Sequence, residues 1–113
     1  MTDEELTDEE VKLLEYDFLP EKMREAKITA DKGKCRMVLS MLIAGHELPH
    51  QEKLAQNVNY LSELGEIDKS ECQEILDELV NAKFVWNFGP SFDVTDEFAA
   101  AWELRRIEAA FEL

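Results

Sequence analysis

ILDELVNAKFVWNFGPSFDVT, residues 75–95, changes its periodicity halfway along. Ile75, Leu76 and Leu79 continue a helical stripe that begins at Cys72, and the spacing predicts a helix ending near Ala82. Phe84-Val85-Trp86-Asn87-Phe88 is then rich in aromatic and branched residues, as strands are. Gly89-Pro90-Ser91 signals a turn, and Phe92-Asp93-Val94 returns as a second strand. Thr95 is placed to cap a last helix, with Asp96 and Glu97 in its first turn.

Towards the N-terminus, Asp68 and Glu71 form a capping-box pair that opens the helix of this stretch. Before it, Leu54, Val58, Leu61 and Leu64 predict one helix from about His50 to Leu64, closed by Gly65. The turn His46-Glu47-Leu48-Pro49 separates that helix from an earlier one, capped by Thr29, running to about Ala44 and stopped by Gly45. Further out the chain turns acidic. From Thr2 to Asp17 it carries Asp3, Glu4, Glu5, Asp8, Glu9, Glu10, Glu15 and Asp17 against Lys12 alone. Thr7 with Glu10 makes a second capping box, Val11, Leu14 and Phe18 follow at helical spacing, and Pro20 is expected to open a short helix through Lys27. The organisation is therefore an acidic helical extension over residues 1–28 and a main unit over 29–113.

From Asp31 to Trp102 this order resembles the winged-helix family, a layout of one helix, a helix-turn-helix pair, a two-stranded wing and a helix opening on a Thr-Asp step. Leu76, Leu79, Val80, Phe84, Val85 and Thr95 carry the likeness. The resemblance implies a mainly α, winged helix-turn-helix-like domain with a short β wing and extra N- and C-terminal helices. Fold likeness does not fix function, which has to be argued from particular side chains.

The whole chain has 113 residues, 45% hydrophobic and 34% charged, enough for one domain with its own core. Its net charge is −14, from 12 Lys and Arg against 26 Asp and Glu. Such a charge repels bare nucleic acid and anionic membranes and favours a basic protein surface as partner. The longest apolar run, Met37 to Ala44, suits a buried helix rather than a membrane span. The acidic start is unlike a secretory signal, and two cysteines, Cys35 and Cys72, make no disulfide framework, so a cytoplasmic protein with reduced thiols is expected.

Catalytic chemistry finds no footing. Cys35, His46, His50 and Cys72 are zinc-ligand types, but no Cys-x-x-Cys knuckle brings two of them together and Pro49 separates the histidines. Two core thiols and two loop histidines are the simpler expectation, with no metal and no cofactor. No nucleophile elbow is present, and the glycines at 33, 45, 65 and 89 stand singly rather than in a phosphate loop. The chain is not expected to be an enzyme.

Winged helices often read DNA, a role that needs positive charge on the second helix of the pair and on the wing. The candidate recognition helix, Asp68 to Lys83, sets Asp68, Glu71, Glu74, Asp77 and Glu78 against Lys69 and Lys83. The wing, Trp86 to Val94, has Asp93 and no basic residue. Phosphate contacts need positive charge where this chain is negative or neutral. Lys69, Gln73 and Asn87 are the side chains that could meet bases, and with Asp77 they form the candidate partner-binding set. The cluster Lys32, Lys34 and Arg36 could hold a phosphate, or more simply pair with the acidic N-terminal segment.

The last helix is apolar on two sides. Phe98, Ala101, Trp102, Ala109 and Leu113 share one, and Ala100, Leu104, Ile107 and Phe111 share nearly the opposite one. Leu104, Ile107 and Phe111 are the candidate dimer or packing face, to be met by a second chain or covered by Val11, Leu14 and Phe18 of the same chain. The expected function is a non-catalytic protein-interaction module, a small regulator or inhibitor docking on a basic, nucleic-acid-binding surface. Small acidic phage proteins that block restriction or CRISPR nucleases work in this style, a likeness of charge and size. The alternative is a winged-helix transcriptional regulator that binds DNA as a homodimer.

Overall fold

The structure, a computed structural model, describes residues 6–111. It is mainly helical with one two-stranded antiparallel hairpin, as the sequence predicts. Helix α1 (Asp8–Leu13) opens on the expected capping box: Thr7 accepts from the Glu10 amide at 3.1 Å, and the Glu10 carboxylate accepts from the Thr7 amide at 2.9 Å. The rod does not stop at Pro20. It passes through a π-helical turn at Leu14–Phe18 straight into α2 (Leu19–Ala26). Proline has no amide hydrogen to give back along a helix, and the widened turn, in which the Leu19 amide donates to Leu14 O, lets the rod continue past it.

Helix α3 (Lys32–Gly45) is capped by Asp31, which accepts from the Lys34 amide at 3.0 Å. Thr29, expected in that role, instead donates its amide and hydroxyl to Glu78. The helix expected over 50–64 is two: α4 (His50–Lys53) and α5 (Val58–Gly65), the latter capped by Asn57. The break is made by sheet pairing. Gln56 O accepts from the Phe92 amide at 3.0 Å, Asn57 bridges Ser91, and Leu54 O accepts from the Ser91 hydroxyl at 2.6 Å. Of the predicted stripe, Leu61 is buried and Val58 half-buried, while Leu54 and Leu64 are exposed.

Helix α6 (Lys69–Asn81) starts at Asp68, whose carboxylate accepts from the amides of Ser70 and Glu71. Strands β1 (Val85–Phe88) and β2 (Ser91–Val94) pair Val85 with Val94 and Phe88 with Ser91. Gly89, at φ 70°, sits first in their two-residue loop, where a tight hairpin needs a left-handed residue. Thr95 caps α7 (Asp96–Phe111): its hydroxyl accepts from the Phe98 amide at 3.2 Å and donates to Lys83 O at 2.9 Å, tying the start of α7 to the end of α6.

Helices α3 and α5 end at Gly45 and Gly65, as expected, but the left-handed residues just past the ends of α2, α5 and α6 are not glycines. Lys27, Glu66 and Lys83 take left-handed φ values of 59°, 54° and 66°. After each, an apolar residue returns its amide across the helix end: Ile28 to Met23 O, Ile67 to Ser62 O and Phe84 to Leu79 O, each at 3.0 Å. Gly45 serves a different need, since the Gln56 side chain lies where a Cβ would be.

One core joins all of this. Leu14 and Leu19 of the N-terminal rod are buried with Val38, Leu39 and Leu42 of α3, Leu61 of α5, and Leu76 and Leu79 of α6. Phe18 meets Phe98 and Trp102 of α7 edge-on, each at a centroid distance of 5.5 Å. Among the described residues of the stretch read as an extension, Leu14, Phe18, Leu19 and Met23 thus share the core of the remainder.

Candidate protein-interaction surfaces

Helix α6 carries three of the four candidate partner-binding residues. Lys69, Gln73 and Asp77 recur every four residues on one exposed face, and Gln73 Nε2 donates to Asp77 Oδ1 at 2.9 Å. Asn87 is also exposed, but on the hairpin, beside the half-exposed Trp86. Two acids of α6 turn to their own chain: Glu71 pairs with Lys34 at 2.7 Å and Glu78 accepts from Thr29. Glu74 and Asp77 face outward.

Much of the positive charge is engaged with the chain itself. Arg36 pairs with Glu15 at 2.9 Å, as expected for the basic cluster meeting the acidic segment, and Lys32 lies over the Tyr16 ring at 5.0 Å. Arg105 pairs with Asp17 at 2.8 Å, and Arg106 with Glu103 and Glu10. The Arg36 hydrogen bond holds the Glu15 carboxyl below its ordinary range, and Arg105 does the same for Asp17. Glu71 in turn raises the Lys34 ammonium. Each pairing favours the charged forms and leaves less free cation for a phosphate backbone.

The hairpin holds a polar cluster that sequence reasoning missed. Asp93 is buried and accepts from His46 Nδ1 at 3.0 Å and Lys53 Nζ at 3.1 Å, and His46 Nε2 lies 3.7 Å from Asp96. His46 is therefore held by the hairpin rather than free in a loop. The three residues come from α3's end, α4 and β2, so no spacing in the sequence announces them. The cluster ties the hairpin to the helices; among the described residues no three His, Cys, Asp or Glu side chains gather to hold a metal ion. Cys35 and Cys72 lie in the core, where burial pushes the Cys35 thiol up to about 12 and raises that of Cys72. Neither is a ready nucleophile at neutral pH.

On α7, Leu104, Ile107 and Phe111 are 59%, 43% and 85% exposed. Phe18 packs on the opposite face, against Phe98 and Trp102, so the N-terminal rod does not cover this stripe as one alternative had it. Leu113, assigned to the inner face, lies outside the described residues. Between the rod and α7 runs a groove of about 420 Å³, with Phe18, Ala101 and Leu104 as its apolar lining and Glu21, Glu25 and Glu108 among its charged lining. Among the described residues no helix is long and apolar enough to cross a membrane. Comparison with protein families, with curated proteins and with solved structures finds no match to this chain.

Proposed function

We propose that this chain is a non-catalytic, acidic interaction module that binds the basic, nucleic-acid-binding surface of a partner protein, acting there as a small regulator or inhibitor in the cytoplasm. One observation carries the reading. Arg36, Lys34, Lys53, Arg105 and Arg106 are held on the chain's own carboxylates, while Glu74 and Asp77 face outward on the helix that a DNA reader would make basic. With a net charge of −14, the outer field attracts cations. Such a field speeds encounter with a basic partner and weakens with salt. Asp77, Gln73 and Asn87 would meet that partner, and no cofactor is needed.

A second reading has the element order in its favour. Helix α3, the pair α5 and α6, the hairpin and α7 follow the sequence that the winged-helix likeness implies, and Lys69, Gln73 and Asn87 are all exposed. That reading makes the chain a DNA-binding regulator, dimeric through Leu104, Ile107 and Phe111. Titration into labelled random duplex DNA at low and moderate salt separates the two. The interaction module leaves the duplex free, yet strips it from a lysine-rich DNA-binding domain. Salt-sensitive binding of the chain itself to the duplex, abolished by Lys69→Glu, would sink the interaction reading.

A further inference from the structure

We infer that the groove between the N-terminal rod and α7 is a docking site for a basic, amphipathic helical segment of a partner protein. The inference rests on the basic-partner reading above and gives it a place and a shape. Two properties of the groove coincide. Leu104, which lines the groove with Phe18 and Ala101, is also the first residue of the exposed stripe that Ile107 and Phe111 complete on α7. Leu104, Ile107 and Phe111 are three and four residues apart, so they form a stripe along one side of α7. A stripe of that length suits a helix laid along it, the mode in which apolar side chains every three or four residues seat in a groove.

Charge selects the occupant. The groove is flanked by Glu21, Glu25 and Glu108, all exposed. The cations beside them are engaged: Arg105 holds Asp17, and Lys22 Nζ lies 5.6 Å from the Phe18 ring centroid. A helix with leucines on one side and lysines or arginines on its flanks would bury the stripe and set its cations beside these carboxylates. A second copy of this chain fits poorly, because it would bring a net charge of −14 to the same carboxylates. Like charges so placed oppose association.

The test uses two labelled peptides of identical leucine and lysine content, one patterned as an amphipathic helix and one scrambled, titrated with the full chain and followed by fluorescence anisotropy. The patterned peptide is expected to bind at least about tenfold tighter than the scrambled one. Leu104→Ser with Ile107→Ser should remove that preference, and Phe111→Ser, at the exposed end of α7, should reduce it without touching the core. Glu21→Lys with Glu25→Lys should weaken binding more than Glu52→Lys with Glu63→Lys, which makes the same change in net charge elsewhere. Circular dichroism of each variant checks that it is folded. Equal binding of both peptides, or equal loss from the two charge pairs, overturns the groove and leaves the basic-partner reading intact. No binding of either peptide at low salt overturns both. Light scattering that finds a dimer lost in the Leu104→Ser, Ile107→Ser variant gives the stripe to a second copy and also overturns the inference.

Discussion

Helix α7 is two helices in energetic terms. Its first half carries Phe98 and Trp102, both buried, with Phe18 set edge-on against each ring and Phe84 tilted against Phe98 at a centroid distance of 4.8 Å. Its second half carries Leu104, Ile107 and Phe111, three large apolar residues left open to water. The same sequence of alternating apolar faces thus serves stability in one half and is available for association in the other. The difference lies in what crosses α7: the N-terminal rod reaches the first half with Phe18 and meets the second through Arg105 and Arg106, leaving Leu104, Ile107 and Phe111 open.

The comparison is broken most directly by truncating each half. Trp102→Ala removes a buried ring from an aromatic cluster and is expected to cost about 3–5 kcal/mol. Phe111→Ser removes a ring of similar bulk from an exposed site and should move stability by less than about 0.5 kcal/mol. Urea unfolding of both variants measures the difference. Equal losses would mean that the second half is packed in solution, by this chain or by another copy.

A smaller effect is expected where α7 begins. Asp93 is buried one residue inside the end of β2, bound to His46 and Lys53, and Thr95 just beyond it caps the helix. Asp93→Ala would take the acceptor from Lys53 and from His46 Nδ1 and should cost about 2 kcal/mol, read as a lowered urea midpoint. If the hairpin is what holds the first half of α7 in place, the variant should also lose near-ultraviolet dichroism from Trp102. A loss of stability with that signal unchanged would separate the hairpin from the aromatic cluster.

These elements were unequally legible in the sequence. The stretch from Ile75 to Thr95 was readable because its signals are local: a stripe at helical spacing, a Gly-Pro turn, a threonine before two acids. The π turn before Pro20 was not, since Leu14 and Phe18 keep one apolar stripe whether or not the rod breaks there. The split between α4 and α5 was hidden for a different reason. Leu54, Val58, Leu61 and Leu64 form an unbroken stripe, but Gln56 and Asn57 take their partners from β2, and a periodicity argument cannot see a strand that arrives later in the chain. His46 and Asp93 are 47 residues apart and meet only through the fold. Of the candidate surfaces, the two apolar faces of α7 could be counted from the sequence, whereas which of them the rod covers required the packing of Phe18.

The left-handed helix ends offer a gain rather than a loss. Lys83 precedes the hairpin that feeds α7, and Glu66 precedes α6; both hold φ values that a side chain resists. Lys83→Gly and Glu66→Gly should each stabilise the fold by about 1 kcal/mol, less the added freedom of the unfolded chain. Thermal melts with additive increases would show that the two ends are independent. Since neither position touches the second half of α7, peptide binding at the groove should be unchanged in the double variant.

The smallest effect expected is at the polar seam between the two halves. Arg105, three residues after Trp102, donates to Asp17 on the rod and holds that carboxyl below its ordinary value. A group whose folded value is depressed favours the fold while it is ionised, above its unfolded value of about 3.9, and loses that contribution as acid takes the pH down through the folded value. Asp17 is half exposed, so solvent screens the pair and the contribution is modest. Asp17→Asn should therefore lie slightly below the natural chain in stability at neutral pH, and the two curves should converge in acid. Glu15 and Glu103, also depressed through their bonds to Arg36 and Arg106, stay in both proteins and contribute alike to both acid limbs. Curves that remain parallel into acid would mean that Asp17 is not ionised against Arg105 in solution, and that the rod is held on α7 by Phe18 and the Glu10–Arg106 pair without it.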